Sequence, residues 1–408
     1  MSKDLDVAWV GQERLYFCGP AVAQMALTSL GAAGSAPPPT RQEQLWDEIQ
    51  TETNAKRPSK AGDDASACPP FPEQKCDKFD GDWFCWSTTP DALRRVLDSG
   101  QDKAAYAVTS HDEEAGATEE LRRSVDRGVP GAALVYGWQH WVVVDGYLSG
   151  VDGETTHICL RDPLDEKFGD THEVILEDWN SDYLCFVPAG KYRDKIVVVG
   201  GEPRVPAGAF AAPPPVPVGG SGHAAPARKD GEPHKGAVPL ISAEMAMAVA
   251  ERERGRMLER PKRWGRALGD ARAERPALLL ERLDRHDTYD YIVTYATGEG
   301  VTARILVDAR TGRFSQAVGA NQARGTLAPY VDPASAAERF WGRSLDLQSV
   351  GGRVVRRETL GQHPVLVWKP CRQSTSPTMP FYQFSVGDRL VYLRADGVWF
   401  SQLTTGPA

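Results

Sequence analysis

The chain has 408 residues, 41% of them hydrophobic and 25% charged, with a formal net charge of −8. That length predicts two or three domains, and no apolar run approaches a membrane span, so no membrane partner is expected. The charge is uneven: residues 1–200 hold 19 Lys/Arg against 34 Asp/Glu, and residues 201–408 hold 28 against 21. Opposite fields favour mutual docking of the two halves; a nucleic-acid surface and plain compositional drift are the alternatives. The N-terminal Met-Ser-Lys-Asp-Leu-Asp does not read as a signal peptide, which points to a cytoplasmic protein. Seven cysteines is an odd number with no zinc-type spacing; Cys68, Cys76 and Cys85 read as three thiols, with a metal site or a disulfide as the alternatives, and no cofactor is expected.

The first predicted element is a helix headed by Cys18 in Phe17-Cys-Gly-Pro-Ala-Val-Ala-Gln-Met-Ala-Leu. Apolar residues at Ala21, Val22, Met25, Ala26 and Leu30 recur at helical spacing, Pro20 suits a first turn, and Gly31 is a stop signal. A cysteine attacks as thiolate, and the unpaired N–H groups at a helix start favour that anion. Gly19 would let a substrate backbone pass close to the sulfur, and Gln12 would offer its amide to an oxyanion beside the Cys18 N–H. A small buried core cysteine is the alternative. Residues 51–87, with Cys68, Cys76 and Cys85 among Pro and Asp, read as an insertion.

Among eight histidines, His140 stands out because it opens Gln139-His-Trp-Val-Val-Val-Asp-Gly-Tyr, a predicted strand flanked by Trp138 and Trp141. A base there would be held rigidly and partly shielded from water by the two tryptophans, which are also candidate substrate contacts; a satisfied core histidine is the alternative. The next strand, 155–161, ends at Asp162, whose carboxylate can reach the imidazole and hold its tautomer. Asp165 is a weaker alternative. Asp145 lies five residues from His140, so it should face the other way and turn the chain before Gly146.

The order Gln12, Cys18, His140, Asp162, with CGPA, HWVVVDGY and RDP around them, resembles the papain-like cysteine peptidases. The nearest branch is that of the bacteriocin-processing peptidases and their stand-alone relatives, over roughly residues 8–200. The resemblance implies an α+β fold in which the nucleophile helix packs on an antiparallel sheet carrying His140 and Asp162. It also implies that Gln12 serves the oxyanion hole. Transporter-linked members carry membrane spans and an ATPase that this sequence does not show.

Residues 202–238 are rich in Pro, Ala and Gly and predict a semi-extended tether between a first domain (1–201) and a second (239–408). The second begins with a helix at Ile241-Ser-Ala-Glu, whose Arg-rich continuation, Arg252 to Arg275, reads as a solvated face. No aromatic stacking pattern accompanies that charge, so no nucleic-acid partner is expected. Hairpins follow over 289–319, and the plan repeats with a helix near Asp332 and strands at 364–368, 381–386 and 390–393. Two such units, 239–320 and 331–408, resemble PepSY-type, cystatin-like modules, which implies a regulatory or binding role.

Together these features predict a cysteine peptidase acting on a peptide or protein substrate, restrained or aided by its second half. The alternatives are a catalytically silent peptide-binding module and a deamidase or transamidase effector. Val-Gly-Gly pairs at Gly200-Gly201 and Gly219-Gly220 suggest a self-cleaved tether.

Overall fold

Strand runs that are apolar at consecutive positions, rather than alternately, predict strands covered on both faces. Ala132–Val135, Trp141–Val144 and Ile196–Val199 are such runs, and they form the centre of the fold. The structure is a computed structural model describing residues 2–14, 17–32, 42–54, 75–79, 82–86, 88–136, 140–164, 169–187, 190–204, 239–320, 326–332, 335, 364–371, 373–374, 376–386 and 389–403.

In the first half, β1 (Ser2–Asp4) precedes helices α1 (Cys18–Ala32) and α2 (Gln42–Asn54). A hairpin of β2 (Lys75–Phe79) and β3 (Asp82–Trp86) follows, then α3 (Pro90–Ser99), β4 (Ala104–His111) and α4 (Glu114–Asp126). The strands β5 (Gly131–Val135), β6 (His140–Ser149), β7 (Thr155–Arg161), β8 (Thr171–Ile175) and β9 (Ile196–Pro203) complete it. A single turn, α5 (Leu176–Asp178), lies between β8 and β9. The sheet order is β8-β7-β6-β5-β9-β4, antiparallel throughout. Alternate residues of β5, β6 and β9 point to opposite layers. Leu134, Trp141, Val143, Val197 and Val199 meet α1, α2 and α3, while Ala133, Val142, Val144, Ile196 and Val198 meet α4.

The second half opens with α6 (Ala243–Leu258), capped by the Ser242 hydroxyl, which accepts from the Met245 N–H at 3.2 Å, and α7 (Pro261–Leu268). Strands β10 (Arg272–Ala273), β11 (Leu278–Arg282), β12 (Tyr289–Thr297), β13 (Gly300–Asp308) and β14 (Phe314–Gly319) follow. The last four are β15 (Val365–Trp368), β16 (Phe381–Val386), β17 (Arg389–Arg394) and β18 (Trp399–Phe400). Helices α6 and α7 cover one face of β12–β14 through Val249, Ala250, Trp264 and Leu268. Leu280, Trp368, Phe381 and Phe384 fill the other side. The predicted second-repeat helix beyond Asp332 falls on residues outside those described.

The two halves share one sheet. Strand β14 pairs antiparallel with β8, from Gln316 opposite Val174 to Gly319 opposite Thr171. Charge reinforces the junction, as acidic residues of the first half meet arginines of the second. Both Arg256 and Arg260 pair with the fully buried Glu173, and Arg263 Nη1 lies 2.9 Å from Asp145 Oδ1. Arg282 reaches Asp182 at 2.9 Å.

Several expectations change here. The Arg-rich stretch is a solvated face only in part: Arg252, Arg266, Arg272 and Arg275 are exposed, but Arg263 is 3% exposed and points into the junction. Asp145 makes no turn; it stays inside β6, buried between Arg161 and Arg263, with a bulge beside it. Helix α1 continues past Gly31 to Ala32. Gly200 and Gly201 belong to β9, where the Gly201 N–H donates to Ser124 Oγ at 2.8 Å, so this pair is not part of an open tether. Residues 202 and 203 end the same strand, and 205–238, with Gly219-Gly220, lie outside the described residues. Among the described residues no helix is long and apolar enough to cross a membrane.

Candidate active site

Cys18 is the first residue of α1, so its own N–H belongs to the set that an α-helix leaves without intrahelical partners. Val22, Met25 and Ala26 bury the helix against the sheet and fix where its N-terminus points. Gly19 follows because a side chain there has no room: a Cβ would lie 2.3 Å from Thr88 Oγ1. The close approach is thus to Thr88, not to the open space for substrate that the sequence suggested. Thr88 in turn accepts a hydrogen bond through its carbonyl from Trp141 Nε1 at 3.2 Å.

His140 begins β6, and Asp162 directly follows β7, the neighbouring strand. His140 Nε2 lies 2.7 Å from Asp162 Oδ1, and the same oxygen accepts from the Leu164 N–H at 2.8 Å. With Nε2 occupied, Nδ1 is the ring nitrogen left to face Cys18, which lies close enough to act on the charge of His140. Cys18 and His140 are each 4% exposed and Asp162 2%, so the charges interact in a nearly dry setting. Burial opposes the charged imidazolium, but the Asp162 carboxylate and Cys18 outweigh it and push the His140 pKa up to about 10. Asp162, despite burial that favours its neutral acid, is held below the usual carboxylate range by His140.

Gln12 approaches from the N-terminal segment. Its backbone N–H donates to Pro163 O at 2.7 Å, and Trp9 Nε1 donates to Asp162 O at 2.6 Å, tying residues 9–12 to the turn that carries the carboxylate. On the other side, Gln42 of α2 is fully buried and brackets Gln12. Its Oε1 accepts from the Glu13 N–H at 3.0 Å and its Nε2 donates to Gly11 O at 2.8 Å.

The structure therefore brings Cys18, His140 and Asp162 together and anchors Gln12 beside Asp162. Trp141 stands apart: it is 2% exposed in the layer under α1, because the residue after His140 must face the opposite side of β6. It packs the core rather than walling a substrate. Trp138 and Asp165 lie outside the described residues.

Sequence reasoning missed three neighbours. Gln42 carries no local signal, being separated in the chain from the segment it clamps. Tyr136 stacks on His140 with ring centroids 6.4 Å apart, and Tyr183 lies 4.8 Å from Tyr136. Tyr136 has φ +55°, a left-handed backbone costly for a residue with a side chain, by about 1–3 kcal/mol. Nothing in the sequence marks it. Among the described residues no group of three or more His, Cys, Asp or Glu could hold a metal ion.

The raised imidazole pKa has a thermodynamic consequence. A histidine whose folded pKa exceeds its unfolded value of about 6.5 stabilises the fold fully below that value and progressively less as pH rises through about 10. Urea unfolding at a series of pH values should show the wild-type advantage over His140→Gln shrinking across that window. A difference independent of pH there would contradict a charged His140.

Residues 4–185 match a family model described as the Peptidase C39-like family. One similar solved structure is the crystal structure of a double glycine motif protease from an AMS/PCAT transporter in complex with the leader peptide. The similarity covers 50% of this chain and 95% of that one, at 10% identity and a TM-score of 0.28. No curated protein matches.

Proposed function

We propose that this chain, whose residues 4–185 form a Peptidase C39-like domain, is a cysteine peptidase that cleaves peptide or isopeptide bonds with Cys18, His140 and Asp162. The observation carrying this reading is that the buried His140 takes Asp162 on Nε2 at 2.7 Å, with the buried Cys18 close enough to act on its charge. A buried carboxylate, imidazole and thiol in series suit nucleophilic catalysis.

In the reaction, the Cys18 thiolate attacks the carbonyl carbon, forming the S–C bond and moving the carbonyl electrons onto oxygen. The Gln12 amide and the Cys18 N–H donate to that oxyanion. As the C–N bond breaks, the His140 imidazolium gives its proton to the departing amine. The now neutral His140 then takes a proton from water, which attacks the thioester and releases the acid, returning the thiolate. Asp162 holds the ring in the tautomer that makes both transfers possible and stabilises the imidazolium between them.

Labelling of the full-length protein with an electrophilic peptidase probe, followed by mass mapping, tests this. The probe should mark the Cys18 peptide in preference to those of Cys159, Cys185 and Cys371, and His140→Ala should remove the preference. A proteome-derived peptide library then separates hydrolysis from deamidation, since only cleavage creates new N-termini. Uniform labelling of the cysteines would sink the catalytic reading and leave a peptide-binding module.

A further inference from the structure

The second half of the chain contacts neighbours of the proposed triad at two points. From β14, Gln316 is 3% exposed, and its Oε1 accepts a hydrogen bond from the Tyr183 hydroxyl at 2.6 Å. Tyr183 is itself 2% exposed, and its carbonyl accepts from the Tyr136 N–H at 2.9 Å, so the two tyrosines are joined by backbone as well as by their rings. Tyr136 then lies against the imidazole of His140. Separately, Leu164, whose N–H holds the Asp162 carboxylate, packs its side chain on the apolar cluster of Leu366, Trp368 and Phe381 in the second half.

We propose that Gln316 is a positioning residue for His140, so that the second half completes the catalytic centre instead of restraining it. The proposal rests on the Cys18–His140–Asp162 reading above. Tyr183 is held by one polar contact supplied from across the β8–β14 junction. That contact fixes the Tyr183 ring, which limits where Tyr136 can sit, and Tyr136 forms one wall of the imidazole site. The unfavourable backbone at Tyr136 makes the wall dependent on such support, because a strained conformation persists only where its surroundings impose it. Inhibition by the second half predicts a gain when these contacts are loosened. Positioning predicts a loss.

The test uses full-length protein and the rate of Cys18 alkylation by iodoacetamide as a function of pH, read from the Cys18 peptide by mass spectrometry. The ionisable groups facing His140 are Asp162 and Cys18, with Tyr136 stacked behind; Asp162 also feels His172, and Tyr183 feels Asp178 and Arg282. Both Tyr183→Phe and Gln316→Met should lower the neutral-pH rate by about three- to tenfold, the equivalent of one lost hydrogen bond, and move the profile's midpoint upward. The control Arg313→Ala removes an exposed ion pair with Glu177 at 3.5 Å across the same junction and should superpose on wild type. Folding of each variant is checked by circular dichroism. If Gln316→Met does not fold, Tyr183→Phe decides, since it deletes a single oxygen and keeps the ring. Wild-type profiles in the folded variants, or faster alkylation, would overturn the proposal. A wild-type profile identical to that of His140→Ala would instead remove the catalytic reading beneath it.

Discussion

Replacing Cys18 with alanine lowers kcat/KM on any peptide the wild type cleaves by about 10⁴- to 10⁶-fold, and His140→Ala does so to a similar extent. The reason is mechanistic unity. Without the sulfur there is no thioester, and without the imidazole the thiol has no partner to stabilise its anion or to protonate the leaving amine. The double variant should therefore be no slower than either single one, the non-additivity expected of residues acting as one unit. Asp162→Ala belongs to the same series, with a smaller effect, because it frees the ring of His140 and leaves the half-buried Leu164 N–H without its acceptor. Steady-state kinetics on the four variants decide the matter. Independent, additive losses would mean that Cys18 and His140 do not share a reaction coordinate.

Much of the first half is legible in the sequence because its chemistry is local. A helix needs only its apolar period and its first-turn proline to be seen in Cys18–Ala32, and a β-branched run shows the strand that His140 opens. Asp162 could be placed because hairpin geometry relates the end of one strand to the start of its neighbour. What was hidden depends on neighbours remote in the chain. The need for Gly19 comes from Thr88, the setting of Gln12 from Gln42, and the shape of the imidazole wall from Tyr183 and, beyond it, Gln316. Likewise, an arginine-rich helix looks solvated until the strands opposite it are known to carry buried carboxylates. Edge pairing of β8 with β14 has no signature in either strand, since any unpaired edge offers the same N–H and C=O groups.

That junction sets the second large effect. Arg263→Leu should destabilise the protein by about 3–5 kcal/mol, the typical cost of removing one partner from a buried ion pair. Its guanidinium meets Asp145 Oδ1 at 2.9 Å and Asp4 Oδ1 at 3.3 Å, and also donates to Leu160 O and His172 O at 3.2 Å each. Four acceptors from four strands, β1, β6, β7 and β8, converge on one planar fork, which a lysine cannot reproduce, so Arg263→Lys should recover only part of the loss. Asp145 retains Arg161 at 2.7 Å, which limits the penalty but leaves two carbonyls without their donor. By contrast, the exposed Arg313–Glu177 pair should be worth no more than about 1 kcal/mol. Denaturant unfolding of Arg263→Leu, Asp145→Leu and the double variant provides the measurement. A double variant no less stable than Asp145→Leu alone follows if the cost is that of a stranded buried guanidinium, whereas simple addition of the two losses would show that each side chain is held by partners the other does not share.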